Sequence, residues 1–452
     1  MLLDSANITA SKVADISYEG YSLVLPYMKR QPIKTTGIAK SFPFKSIHVK
    51  IESVAFWFWF FIGVEPCLTF LFFRSKPALG TLVGYLPPPS LAFFLLSSLL
   101  IGKRLQNADS LRPMATKLLL AILLWAGITL LWTNAASRFS ACGYWAIVTL
   151  KVFVVLLLLC LGNVERIGIK SLQGYAWGGL VLALVALLSN VSTSDGRLGD
   201  EEFLHPNTIG NHIAIITLCT IYMALQSSLG MAERQPQIFI SVVLLFTLLK
   251  TLSKTSIISL LLALSIYLIR SKMSVQKKIN LLLLAGGAIA ISSAALSKYL
   301  DYYLNEQQGG EALTTATGRT RIWEMTWELI QEKPIWGYGY QSYRDVADQI
   351  IPLRLVHPHN ECLNIWFNLG GIGLIIGILT YITFYWHLRR AGKARLPQEA
   401  LGLALLIYSL VRGLTEATVP DLLVYPTPLM MLMIGWLTQR NQISSSNGDS
   451  YG

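Results

Sequence analysis

The sequence predicts an all-α, polytopic membrane protein, and three observations carry that prediction. Of its 452 residues, 53% are hydrophobic and 14% charged, with a mean hydropathy of +0.51, too apolar for a soluble globular chain of this length. The apolar residues gather in runs near the roughly 20 residues needed to cross about 30 Å of hydrocarbon. Lys and Arg collect in alternate connections between those runs, as they do where loops face the cytoplasm.

The apolar runs lie near residues 53–73, 80–101, 114–133, 141–162, 171–190, 207–226, 236–252, 255–271, 279–297, 361–387, 399–414 and 423–438. They give about twelve spans. Glu65-Pro66 interrupts the first and Pro87-Pro88-Pro89 stands in the second, where proline disfavours a continuous helix. Lys151 falls well inside the fourth and needs a partner there.

Orientation follows from the cations. The first 52 residues carry Lys12, Lys29, Arg30, Lys34, Lys40, Lys45 and Lys50, which puts the N-terminus inside. Alternation then sets Lys103, Arg104 and Arg112, Arg166 and Lys170, Arg234, Arg270 to Lys278, and Arg389 to Arg395 on the same side. The expected organisation is a cytoplasmic tail over residues 1–52, nine spans over 53–297, a large outer segment over 298–360, three spans over 361–440 and a second cytoplasmic tail over 441–452.

The net charge of +12 therefore reads as topology and attraction to anionic lipid heads. No basic helix interleaved with aromatics points to nucleic acid. The N-terminal tail lacks the order of a signal peptide and reads as retained and partly disordered. Cys67, Cys142, Cys160, Cys219 and Cys362 show neither CxxC nor metal-ligand spacing.

Cations on the outer side break the topological pattern: Arg197, Lys250, Lys254, Arg319, Arg321, Arg344, Arg354 and Arg412, with His205, His357 and His359. In the first stretch, Pro206 after His205 suits a helix start, whose N–H groups can hold an anion together with Arg197, or simply form a capped turn. Lys254, in Lys250-Thr-Leu-Ser-Lys254-Thr-Ser256, can snorkel as an anchor or hold a diphosphate through charge-assisted hydrogen bonds. Within the large segment, Ile322, Trp323, Thr326, Trp327 and Ile330 recur at helical spacing, predicting an amphipathic helix on the membrane domain with its tryptophans as packing or interface anchors. Arg319 and Arg321 at its start oppose the helix dipole unless an anion is shared with it. Pro334, Gly337 and Gly339 then turn the chain.

The segment returns to the membrane at His357-Pro-His359-Asn360. A histidine titrating near neutrality can take a proton from an attacking hydroxyl. Gly370 and Gly373 beyond it read as sites of close helix packing.

Arg197 with His205-Pro-Asn207, Ser253-Lys254-Thr-Ser256, Gly318-Arg319 followed by Trp323, Pro334 with Gly337 and Gly339, and His359-Asn-x9-Gly370-x-x-Gly373 together resemble the O-antigen ligase and polymerase superfamily, over roughly residues 110–438. The resemblance implies a GT-C-type membrane glycosyltransferase, active on the periplasmic side of the bacterial inner membrane without metal, nucleotide sugar or other cofactor. Its donor would be a glycan on undecaprenyl diphosphate. Its acceptor would be the lipid A core in a ligase, or another lipid-linked repeat unit in a polymerase, with ligase favoured by the His-Asn-x9-Gly-x-x-Gly spacing and the single large outer segment.

By matching positions, the resemblance implies His359 as the base and Arg197, Lys254 and Arg319 at the diphosphate; Arg321, beside Arg319 at the helix start, is expected there with them, and His357 or Asn360 would orient the base or the acceptor. Lys254 stands where the family often has Arg, giving a point charge in place of a bidentate fork. His205 and an Arg412–Glu416 ion pair would support the site. A transporter would instead set charges near the bilayer midplane on broken helices, and a scaffold subunit would leave the histidines dispensable.

Overall fold

Runs of span length fold as helices because hydrocarbon leaves no other partner for backbone N–H and C=O groups. The computed structural model describes residues 50–72, 84–100, 108–271, 319–349 and 356–448, apart from positions 190, 194–195, 201–203, 227, 394–395, 418–421 and 424, with scattered residues from 273 to 287. The tail up to residue 49, most of the ninth predicted span, Lys103, Arg104, Lys272, Lys277, Gly318, Arg354 and Arg395 lie outside the described residues.

The helices are α1 (Ile51–Phe72), α2 (Pro87–Leu100), α3 (Met114–Thr129), α4 (Arg138–Leu161), α5 (Val164–Leu188), α6 (Pro206–Leu225), α7 (Met231–Thr251), α8 (Lys254–Arg270), α9 (Arg319–Glu332), α10 (Tyr343–Ala347), α11 (Glu361–Lys393), α12 (Pro397–Gly413) and α13 (Thr427–Gly448). Among the described residues no strand forms, only one isolated bridge between Ser192 and Leu198. Among the described residues seven helices are long and apolar enough to cross a membrane: α1, α3 with its extension to Trp132, α4, α5, α6, α7 and α11. The chain is thus an all-α polytopic membrane protein. The shorter α2, α8 and α12 and the apolar part of α13, Thr427–Thr438, occupy four more of the predicted runs, and α13 continues past residue 440, where a tail was expected.

Proline does not break α1: Pro66 lies inside it. Against α5 the helix approaches so closely that a Cβ at Gly178 would strike the Phe60 carbonyl, the small-residue packing expected where apolar burial cannot drive association. Next to Pro66, Glu65 supplies the partner that Lys151 of α4 requires, as a salt bridge with both side chains mostly buried.

A break in α11 sets the outer face. Gly370 has φ 69° and ψ −177° inside the helix, a conformation only glycine adopts without strain, so it works as a bend and not merely as a close-packing residue. The turn Pro334–Gly339 lies in that bend: Tyr338 N donates to Phe367 O at 2.8 Å, Gly339 N to Asn368 O at 2.9 Å and Gly371 N to Pro334 O at 2.8 Å. Leu329, Ile330, Tyr338, Tyr343, Val346, Ala347 and Phe367 form a small second core there, and Tyr338 stacks on Phe367 with centroids 4.5 Å apart. The amphipathic helix α9 is held on the membrane domain through Thr326, Leu329 and Ile330.

Candidate active site

Polar side chains converge where the start of α6, the α7–α8 turn, the start of α9, the approach to α11 and the end of α12 meet. Pro206 opens α6 and His205 caps it, its Nδ1 accepting from Asn207 N at 3.2 Å. Arg197 is fixed by three hydrogen bonds: its backbone N–H donates to Thr193 Oγ1 at 3.1 Å, Nε to Thr251 O at 3.0 Å and Nη2 to Asn207 Oδ1 at 2.6 Å. Asn207 then donates from Nδ2 to Glu416 Oε2 at 3.3 Å.

Glu416 is the hub, with a side chain only 3% exposed. His359 Nδ1 lies 2.7 Å from its Oε1 and His357 Nε2 3.4 Å from the same oxygen, while Arg319 Nη2 lies 3.7 Å from Oε2. Burial alone would push this carboxyl up. The His359 hydrogen bond and the Arg412 charge, with both imidazoles turned toward the carboxyl, outweigh it and hold the group well below the ordinary carboxylate range.

That settles the protons. An ionised carboxylate only accepts, so His359 Nδ1 donates to it, which leaves Nε2 as the nitrogen free to take a proton when the ring carries only one. His357 Nδ1 accepts the His359 backbone N–H at 3.2 Å, so the neutral His357 ring carries its hydrogen on Nε2, toward Glu416. Burial, against the opposing pull of Glu416, lowers His357 to about 3, and it stays neutral. The His359 ring is aimed by a backbone at φ 52°, a left-handed conformation that costs a non-glycine residue of order 1–3 kcal/mol. Trp323 of α9 clamps the loop from outside, donating from Nε1 to Pro358 O at 3.0 Å.

The expected residues fall into two groups. Arg197, His205, Arg319, His357, His359 and Glu416 are brought together, and Arg412 is electrostatically coupled to them. The expected Arg412–Glu416 ion pair is replaced. Gly413 ends α12, Glu416 turns away toward the histidines, and Arg412 Nη1 donates to Thr255 Oγ1 at 3.2 Å. Arg412 Nε is buried with no hydrogen-bond partner among the described residues. Asn360 orients the loop rather than the base: its Oδ1 accepts from Leu363 N at 3.1 Å and its Nδ2 donates to Leu414 O at 3.2 Å. Lys254 is the exposed first residue of α8, next to Thr255. Arg321 is exposed and two positions from Arg319, so it projects from another side of α9. Asn207, which joins Arg197 to Glu416, was legible only as part of a helix start.

His357, His359 and Glu416 offer ligand atoms within 4.8 Å of one another, a spacing a metal ion could bridge. The hydrogen-bond polarity does not fit one. Both nitrogens facing Glu416 carry hydrogens, and shifting the His357 proton to Nδ1 would set two donors head to head.

Residues 239–378 match the family described as O-antigen ligase. The chain is also 31% identical over 157 residues to a protein named O-antigen ligase from Salmonella typhimurium strain LT2, across 31% of this chain and 37% of that relative. The chain therefore spans well under half the length of the curated relative it matches. The family match takes in Lys254, Arg319, His357 and His359, whereas Arg197, Asn207 and Glu416 join the cluster from outside it. The superfamily that the motifs resemble is the one to which this chain is similar in both comparisons.

Proposed function

We propose that this protein is an inverting, metal-independent glycosyltransferase of the O-antigen ligase type. On this reading it moves a glycan from undecaprenyl diphosphate to the lipid A core oligosaccharide, at the periplasmic face of the bacterial inner membrane. Both termini then lie in the cytoplasm and residues 298–360 face the periplasm. One observation carries the reading: a carboxylate-backed imidazole, His359 on Glu416 at 2.7 Å, stands among more cations than that single carboxylate neutralises.

Each part has a chemical task. The acceptor hydroxyl gives its proton to His359 Nε2 as its oxygen bonds to the anomeric carbon. The bond from that carbon to the diphosphate oxygen breaks with inversion, and its electron pair leaves on undecaprenyl diphosphate. Glu416 stabilises the imidazolium that forms, while His357 and the backbone hold the ring in its tautomer. Arg197, Arg319 and Arg412 are fixed in place before reaction, so they stabilise the diphosphate charge without reorganising. Lys254 and Arg321 lie further out and are assigned to the donor as it approaches.

The test is a reconstituted transfer assay with undecaprenyl-diphosphate glycan and, separately, lipid A core or further lipid-linked repeats. Product on lipid A core is expected. Chain growth would make the protein a polymerase, and failure with both acceptors would sink the enzymatic reading.

A further inference from the structure

A third buried acid, Glu361, has no task in the reaction proposed above. It follows Asn360 directly and opens α11, and it is 5% exposed. Its Oε1 accepts from the Tyr381 hydroxyl at 2.8 Å. The two residues stand twenty apart in one helix, roughly 30 Å if that helix were straight at 1.5 Å per residue. They meet because Gly370 folds α11 into two arms, and their hydrogen bond closes the open end of the V.

The lower arm, which carries Tyr381, packs on α12 so closely that a Cβ at Gly402 would strike Leu388. Beyond α12 the chain runs on to Glu416, whereas the upper arm leads back to His359. The two side chains in contact at 2.7 Å therefore belong to two bodies, and that contact needs a register between them. Neighbouring residues supply it. Asn360 Nδ2 donates to Leu414 O at 3.2 Å, Glu361 is tied to the lower arm through Tyr381, and the Glu361 carboxylate lies against Gly413, where a Cβ would strike it.

An acid in the first turn of a helix also gains from the helix dipole. That role needs no burial, and a buried carboxylate is costly unless it is hydrogen-bonded. Here the burial places the carboxylate between a tyrosine of the opposite arm and the glycine that ends α12, three residues before the hub. We infer that Glu361 and Tyr381 are positioning residues that hold His359 and Glu416 in register. The effect on catalysis rests on His359 acting as base in the function proposed above; the tie between the two side chains does not.

The experiment uses the full chain in phospholipid nanodiscs, with two readouts. The first is steady-state glycan transfer. Tyr381→Phe keeps the ring and removes only the hydroxyl, and should lower kcat roughly tenfold. Glu361→Ala removes the Gly413 contact as well and should lower kcat up to about a hundredfold, the loss that a displacement of about 1 Å can cause. Both KM values should stay within about twofold of wild type, since neither residue is assigned to a substrate. Gly413→Ala should displace the carboxylate and lower kcat alone, yet add little in the Glu361→Ala background.

The second readout is NMR of the substrate-free chain labelled with ring-15N histidine. The Nδ1 proton that His359 shares with Glu416, recognised by its loss in His359→Ala, should lie far downfield as a charge-assisted hydrogen bond. It should move upfield or vanish in Tyr381→Phe and in Glu361→Ala. Wild-type kcat in both variants, a raised KM with kcat kept, or an unmoved resonance would overturn the inference. If Tyr381→Phe lowers the melting temperature, Gly413→Ala is read in its place. A resonance that moves in a chain transferring no glycan would remove the proposed function and leave the tie standing.

Discussion

Two buried acids of this protein are bound to cations in opposite ways. Glu65 meets one lysine, Lys151, inside the helix bundle, and the pair closes on itself. Glu416 meets two imidazoles, Asn207 and Arg319, with Arg412 and Arg197 close behind. The first arrangement is electrically complete. The second leaves surplus positive charge at one end of the bundle, which on the proposed function the donor's diphosphate would meet. A balanced buried pair contributes to the fold, whereas an unbalanced cluster keeps binding energy in reserve for a ligand.

The sharpest break of the comparison is His359→Ala. Transfer should fall by about 10³-fold or more, within the range for loss of a general base, while membrane insertion and thermal melting stay near wild type; full activity would remove His359 as the base. Lys151→Met alone should cost about 3–5 kcal/mol of stability by stranding Glu65, and adding Glu65→Leu should recover most of it. Denaturation of the wild type and the two variants reads this directly. If the double variant also abolished transfer, the division between structural and catalytic pairs would be wrong.

Glu416→Gln should lower kcat by roughly 10²-fold with a smaller effect on KM, as the imidazolium loses its counter-charge. Arg319→Ala should raise the donor KM roughly tenfold and leave the acceptor KM alone. An unchanged donor dependence would take Arg319 off the diphosphate.

The smallest effect is on pH-dependent stability. His357 sits at about 3 in the folded chain against an ordinary 6.5, so the unfolded chain binds the extra proton between these values. Stability is fully present above 6.5 and lost as pH falls toward 3. Glu416, held below its ordinary 4.5, adds a loss in the same direction beneath that value. Melting temperature against pH should therefore slope downward on acidification, less steeply in His357→Gln; equal slopes would contradict a neutral buried His357.

Helix positions were legible because hydrocarbon thickness sets span length, and α3 to α8, α11 and α12 fall within a few residues of the predicted runs. His359, Arg197 and Arg319 stood out as polar groups on the wrong side of the topological pattern. The partner of Glu416 was not legible. A spacing of four from Arg412 suggests a helical pair, but Gly413 ends the helix first. Nor could spacing assign the proton on either histidine, which depends on a backbone N–H and a carboxylate 57 residues apart from the base. The partner of Lys151 lies 86 residues away, beside a proline expected to interrupt the first span.

The bend at Gly370 divides α11 into two mechanical parts. The upper part is laced to the Pro334–Gly339 turn by main-chain hydrogen bonds, and a Cβ at Gly370 would run into the Ile335 carbonyl. His359 lies just above that upper part, and Arg319 and Trp323 belong to the helix that leads into the turn. His359 and Arg319, the base and leaving-group cation of the proposed function, are thus mounted on one bracket and keep their spacing whatever the lower half of α11 does. Thermal motion of the bundle can then jostle the bracket as a unit without changing the spacing of His359 and Arg319.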